Sequence, residues 1–328
     1  MPLPLSITLE EHFTSNAARS SEAFKLDPSN NFPPVLLNKL LISDDARIQD
    51  MNENGVAIQV VSHTPGDFFT IETIRAGNDE LAAAVRDSNS RLAGFAALPM
   101  GDPEEASREL ERCATQHKFV GALIDNHTNG VFYDGSEYDV FWAKAIELDV
   151  PIYIHPAWPS EPMKQAMYSG GNLESDQRSA FALGAFGFGW HASTANTILR
   201  LITGRIFDRH TGLKIIIGHS GECLPYMFDR ISKIIGHLGL RRGFAEVMHA
   251  NIWITTAGMF DVHSLRCLLG NMPLEHVLFS VDYPFSDNKL GREYLEAIQR
   301  EGILDEDQLQ AFASENARQL LFKHLDSC

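Results

Sequence analysis

The chain is predicted to fold as an α/β protein, a (β/α)8 barrel. Three observations carry that prediction. Short runs rich in Val, Ile, Leu and Phe recur about eight times along the 328 residues. Helical patterns with caps stand between them. Several of the runs are nearly all apolar rather than alternating, as parallel strands covered on both faces require. Barrels routinely exceed the usual domain size of about 150 residues, so residues 1–328 are read as one barrel domain. A doubly wound sheet is the alternative, but no GxGxxG follows the first strand and no Walker A sequence occurs.

In chain order the strands are read at Leu5–Glu11, Ala57–His63, Leu92–Pro99 and Phe119–Asn126, then at Pro151–Pro156, Lys214–Gly221, Asn251–Ala257 and Val277–Pro284. Between them, Asp102-Pro103-Glu104-Glu105 opens a helix with an acidic first turn, which suits the macrodipole. Further helices are expected over Ile71–Arg91, Tyr138–Leu148, Thr194–Phe207, Leu224–Leu238, Val262–Leu269 and Glu293–Arg300, and Glu306–His324 ends the chain. The longest irregular pieces, Thr14–Pro34 and Ala157–Gly189, follow the first and fifth strands. In a barrel those positions are lid loops on the catalytic, C-terminal face.

Composition removes whole classes of function. Lys and Arg number 27 against 43 Asp and Glu, a net charge of −16. An acidic chain is a poor binder of phosphate backbones and is repelled by anionic membranes, so neither nucleic acid nor membrane is expected as a partner. Cys113, Cys223, Cys267 and Cys328 lie far apart without a CxxC pair, which argues against a disulfide framework and a thiolate zinc site. The N-terminus lacks a basic region and a long apolar run, and no apolar stretch reaches the roughly 18 residues of a membrane span. The cytoplasm is the default location, and the sequon Asn126-His127-Thr128 then has no meaning.

The informative feature is an apolar strand that ends in an ionisable residue. Glu10 and His12 close the first strand two apart, on one side of it. His155 closes the fifth, His219 the sixth and Asp282 the eighth. Each alone could be an ordinary polar terminus, but in a barrel these ends converge on one mouth. Two His, one Glu and one Asp there make an N/O ligand set for a divalent metal with open positions. Glu11 has the opposite parity and is placed in the barrel wall or a salt bridge.

LEEHF (Leu9–Phe13), IYIHP (Ile152–Pro156), GHSGE (Gly218–Glu222) and FSVDYPF (Phe279–Phe285) resemble the amidohydrolase superfamily. Within it they are similar to the metal-dependent decarboxylases of hydroxybenzoates, such as 2,3-dihydroxybenzoate and γ-resorcylate. GFAALPMGDPEEASRELERC, VGALIDNHTNG, FDRHTGLKIIIGHSGE and ENARQLLF extend the likeness over nearly the whole chain. The opening Glu-x-His discriminates best, because most superfamily hydrolases have His-x-His there.

The resemblance implies metal ligands Glu10, His12, His155 and Asp282, and a catalytic pair, His219 with Glu222. It makes Arg230 a candidate for the substrate carboxylate, and Phe285, Phe24 and Trp190 candidate walls for the aromatic ring. It also implies a homodimer or homotetramer. By ligand type the ion is expected to be Zn²⁺, with Mn²⁺ or Mg²⁺ compatible with a carboxylate-rich set.

Decarboxylating an aromatic acid requires protonation of the ring carbon that bears the carboxylate. A divalent ion chelating the carboxylate and an ortho phenolic oxygen would orient the ring, and Asp282 is the natural proton donor. His219 would help deprotonate the phenol or position the substrate, with Glu222 fixing its tautomer. The same parts could hydrolyse a phenolic ester with a metal-activated water and Asp282 as base. His63, ending the second strand, and Asp125, ending the fourth, depart from the family pattern and suggest a more polar pocket. Both also have bland readings, a loop histidine bonded to backbone and a turn cap.

Other features point to structure. Gly218-His219-Ser220-Gly221-Glu222 misplaces the second glycine of a nucleophile elbow, so Ser220 is read as structural. His210, His237, His249, His263, His276 and His324 fall away from strand ends, as surface or packing residues. His127 is a weak pocket candidate, and His191, in the long fifth loop, is left unassigned.

Overall fold

Eight parallel strands follow one another in sheet order as they do in sequence. They are β1 (Ser6–Phe13), β2 (Val56–His63), β3 (Leu92–Ala96), β4 (Gly121–Asp125), β5 (Ile152–His155), β6 (Ile215–Ile217), β7 (Ile252–Thr255) and β8 (Val277–Leu278). All seven strand pairings are parallel. With helices in each crossover this is a (β/α)8 barrel. The computed structural model describes residues 2–26, 32–42, 45–64, 66, 69–170 and 177–323; His324 and Cys328 lie outside these.

The seam between β8 and β1 is held largely by side chains. Ser280 Oγ accepts from the amides of Leu9 (3.0 Å) and Glu10 (2.9 Å), and His12 N donates to Tyr283 O at 2.6 Å. Glu11 is fully buried there, in the barrel wall, and its partners are neutral donors. Its carboxylate accepts from Ser280 Oγ (3.1 Å) and from the amides of Val281 (3.3 Å) and Tyr283 (2.7 Å). Gln at this position would turn an amide toward backbone N–H donors. Glu11→Gln is therefore expected to cost about 1–3 kcal/mol, the usual toll of mispaired buried polar groups. A urea midpoint equal to that of the parent would reject Glu11 as the clasp of the barrel.

Register along β1 explains how two layers form inside the barrel. Thr8 pairs with Gln59 but Glu11 with Val61, so β1 carries one extra residue between them. Below the bulge, Ile7 and Leu9 join an apolar cluster with Val60, Phe95, Leu123, Tyr153, Ile216 and Leu278, plugged by Leu320, Leu321 and Phe322 from the C-terminal helix. Above it, Glu10 and His12 enter the polar layer. A second, larger cluster fills the space between strands and outer helices.

Local chemistry accounts for the helices and for where expectation and structure differ. Asp102 Oδ1 caps Glu104 and Glu105, and the helix Pro103–Gln116 follows as expected. Val262–Leu269 is found as expected. The helix from Ile71 stops at Asp87, because Asn89 and Ser90 take left-handed φ values of 53° and 63°. Expected Thr194–Phe207 instead starts at Gly189 and ends at Thr203, where Arg205 at φ 63° breaks it from Ile206–Arg209. Pro225 reduces the start of expected Leu224–Leu238 to a 3₁₀ turn, leaving an α-helix over Phe228–Ile235. The last helix is interrupted by a π turn at Ala311–Glu315. The two expected loops contain short helices, Asn16–Arg19 and Glu22–Leu26 in the first and Glu161–Met167 and Gln177–Gly184 in the second. No helix among the described residues is long and apolar enough to cross a membrane.

Candidate active site

Four strand ends bring ionisable side chains together. Glu10 and His12 come from the last turn of β1, and His155 is the final residue of β5. The other two lie beyond their strands. His219 sits in a 3₁₀ turn after β6, at φ 49°, and Asp282 follows β8 at φ 73°. Such left-handed backbone is costly for these residues, and structures keep it where it aims a side chain.

The donor atoms converge. His155 Nε2 lies 3.2 Å and His219 Nε2 3.5 Å from Glu10 Oε1, and His12 Nε2 lies 3.4 Å from Asp282 Oδ1. The ligand atoms of Glu10, His12 and His155 fall within 4.8 Å of one another. Glu10 Oε1 and His12 Nε2 are buried with no hydrogen-bond partner. His155 gives its other nitrogen to the carbonyl of Pro156 at 2.8 Å, which leaves its Nε2 lone pair facing the cluster.

Glu10 is fixed from behind. Its Oε2 accepts from the Tyr153 hydroxyl, which is also 2.7 Å from Thr255 Oγ1. Gly218 is required there, because a Cβ at that position would stand 2.5 Å from Glu10 Oε2. Arg47, buried in the helix Asp45–Asn54, donates to the carbonyl of His12 at 2.6 Å and steadies the strand end. Tyr153 shares the inward face of β5 with His155, two residues on, so strand parity could have found it. Arg47 carries no such signal.

Charge follows from burial and neighbours. Burial opposes ionisation of Glu10, yet the neighbouring histidines, His219 chiefly, outweigh it and hold this carboxyl well below the usual range. Asp282 moves the other way, because it is desolvated and faces the Glu10 charge. Burial, with His155 adjacent, pushes His12 down to about 3, so this imidazole is a neutral donor. His219 also pays for burial, but Glu222 and Glu10 raise it to about 10. Glu222 stays low despite burial, chiefly through His219. The Glu10 carboxylate, the Asp282 carboxyl and the Nε2 atoms of His12 and His155 are a donor set that fits a divalent cation, which would satisfy both orphans.

Above this cluster lies a cavity of about 390 Å³ lined by His155, His219 and Asp282 and walled by Phe32, Trp158, Phe186, Trp190 and Phe285. Phe32 comes from the loop after β1, and Trp158 and Phe186 from the loop after β5. Phe285 packs 5.4 Å from the His12 ring, and Trp158 lies 4.7 Å from Trp190.

The remaining sequence candidates lie elsewhere. Phe24 is buried in its short helix and is absent from the cavity lining. Arg230 is exposed on Phe228–Ile235, also away from the lining. His63 and Asp125 face a second cavity of about 440 Å³ over β2–β4. His63 is bonded on both ring nitrogens, to Thr64 O (2.8 Å) and to Ser15 N (3.1 Å), and burial lowers it to about 4. Asp125 accepts from Gly66 N at 3.1 Å. His127 accepts from Gly130 N at 3.3 Å. His191, unassigned from sequence, lines the first cavity.

Known proteins share this fold. The family model described as amidohydrolase matches residues 35–323, which takes in β2 to β8. "Decarboxylase orsB" of Emericella nidulans is 42% identical over 330 residues, covering 98% of each chain and so including β1. A γ-resorcylate decarboxylase of Polaromonas sp. is 35% identical over 302 residues, 86% of this chain and 88% of its own. Among solved structures, a dihydroxybenzoic acid decarboxylase from Polaromonas sp., with bound manganese and the inhibitor 2-nitroresorcinol, superposes with a TM-score of 0.84 at 30% identity over 97% of both chains. With the family model spanning residues 35–323 and a relative 42% identical over the whole barrel, the chain belongs to the amidohydrolase family.

Proposed function

We propose that the protein is a metal-dependent, non-oxidative decarboxylase of ortho-hydroxylated aromatic carboxylic acids. The observation that carries this is the orphaned donor cluster, Glu10 Oε1 and His12 Nε2 with His155 and Asp282, at the foot of an aromatic-walled cavity. The named decarboxylases among its relatives support the same class of reaction.

Glu10, His12, His155 and Asp282 would hold one divalent ion. Two imidazoles and two carboxylates suit Zn²⁺ or Mn²⁺, and the manganese of the solved relative weights the choice toward Mn²⁺. When bound, the ion supplies Lewis acidity and a template for the substrate's carboxylate and ortho oxygen. Phe285, Trp190 and their neighbours hold the ring and exclude water. No Lys or Arg is among the described residues lining the cavity, so the carboxylate is met at the donor cluster.

Asp282 delivers a proton to the ring carbon bearing the carboxylate. That carbon becomes sp³, its bond to CO₂ breaks, and the bonding pair returns to the ring. CO₂ leaves, and Asp282 regains a proton from solvent. His219, backed by Glu222 at 2.8 Å, presents Nε2 to the cavity and positions the substrate by a hydrogen bond to its phenolic oxygen.

The test is a mixed panel of hydroxybenzoates and their aryl esters in D₂O, read by mass spectrometry. A product lighter by CO₂, with deuterium at the vacated carbon, is expected. Ester cleavage with the benzoates untouched would move the chemistry to hydrolysis and recast Asp282 as a base. His219→Ala is expected to lower turnover about 10²–10⁴-fold with metal content unchanged. Metal loss in that variant would instead make His219 a ligand.

A further inference from the structure

The His219–Glu222 pair has a third member. His191 stands in the first turn of the helix Gly189–Thr203, and its Nδ1 lies 2.6 Å from Glu222 Oε2. The other carboxylate oxygen, Oε1, takes His219 Nδ1 at 2.8 Å. A fully buried carboxylate is thus clamped between two imidazoles whose rings meet edge to face at 4.8 Å. His191 has a second attachment, since its Nε2 is 3.3 Å from the carbonyl of Phe186, whose side chain walls the cavity.

The three residues could also be read as a second metal site, since their donor atoms lie close together. Hydrogen bonds of 2.6 and 2.8 Å already fill the space between those atoms, so the arrangement is a relay of N–H donors on one carboxylate.

We propose that His191 is a positioning residue: it holds Glu222 against His219 and ties the wall segment carrying Phe186 to that pair. Without it, Glu222 Oε2 is a buried, charged acceptor with no donor, a state costly enough that the carboxylate must turn or admit water. Either response releases Nδ1 of His219, and its Nε2 loses its aim into the cavity. Only the kinetic part of the test rests on the decarboxylase reading.

The test compares the metal-replete parent with His191→Ala and His191→Asn. The Asn amide nitrogen stands at the same bond distance from Cβ as Nδ1, so Asn keeps the donor to Glu222 and gives up the bond to Phe186. Two downfield imidazole N–H resonances are expected in the parent by proton NMR, assigned with ¹⁵N-labelled histidine. Ala should remove one and shift or broaden that of His219, whereas Asn should preserve the His219 signal. Turnover should fall about 10–100-fold in the Ala variant, as is usual for residues that orient an active group. KM and metal content should hold, and Asn should recover most of the rate.

An unchanged His219 resonance and rate in His191→Ala would overturn the proposal. So would a folded His191→Asn that lacks the His219 resonance or is as slow as the Ala variant. If Ala prevents folding, the Asn variant decides alone. If the parent decarboxylates nothing, the decarboxylase reading fails, and the resonances still decide the role of His191.

Discussion

Asp282→Asn is expected to abolish decarboxylation, a loss at or beyond the about 10²–10⁴-fold of a general acid. The change is nearly isosteric and keeps one oxygen toward the donor cluster, so part of the metal should remain bound. What it removes is the acidic proton that Asp282 is proposed to deliver to the ring carbon. Asp282 follows β8 at φ 73° and turns one oxygen toward His12 Nε2 at 3.4 Å. A Cβ added to Gly258 would sit 3.5 Å from its other oxygen and 3.6 Å from the His219 ring, so these two groups face the cavity across the same glycine. Burial and the Glu10 charge both favour the protonated acid, whereas a bound cation favours the carboxylate. Decarboxylation alternates between these two states. Single-turnover CO₂ release on the metal-loaded variant is the measurement, and near-normal release would reject the role.

Metal removal is expected to have an effect of the same order, and Glu10→Gln to reproduce it. Glu10 supplies an ionised oxygen with no protein donor, and its charge is what a divalent ion balances. Chelation should therefore remove activity and metal together and lower the Tm of the parent. A ligand held at 100 times its Kd stabilises by about 2.7 kcal/mol. In Glu10→Gln the metal should be substoichiometric, and the Tm should no longer respond to chelator. Its Tm should equal or exceed that of the chelated parent, because one charge has left the buried cluster. Full activity in a parent shown to be metal-free would remove the ion from the reaction.

The expected and observed strands correspond one to one, because a buried parallel strand is a local run of apolar residues and needs no distant partner to be recognised. Their ends are less legible. Lys214–Gly221 shrinks to Ile215–Ile217 and Val277–Pro284 to Val277–Leu278. In both, the chain leaves the sheet early, and His219 and Asp282 themselves take left-handed φ values that hydrophobic period does not encode. The short helices inside the lid loops escaped for a related reason, since a turn or two of helix carries too few positions to show a period.

The sequence by itself determined the residue types and the spacing: Glu-x-His on one strand, a histidine ending another, and His219 three residues from Glu222. These are properties of neighbours along the chain, where a period of two puts Glu10 and His12 on one side. Only the tertiary structure decided which distant residues meet. His63 and Asp125 end their strands as His155 does, yet they face another cavity, and Arg230 faces outward. Tyr153 and His191, unmarked in sequence, became the supports of Glu10 and Glu222. A contact of that kind depends on how the barrel closes at its β8–β1 seam and on how the fifth loop folds back over the mouth, and neither is written in any short stretch of residues.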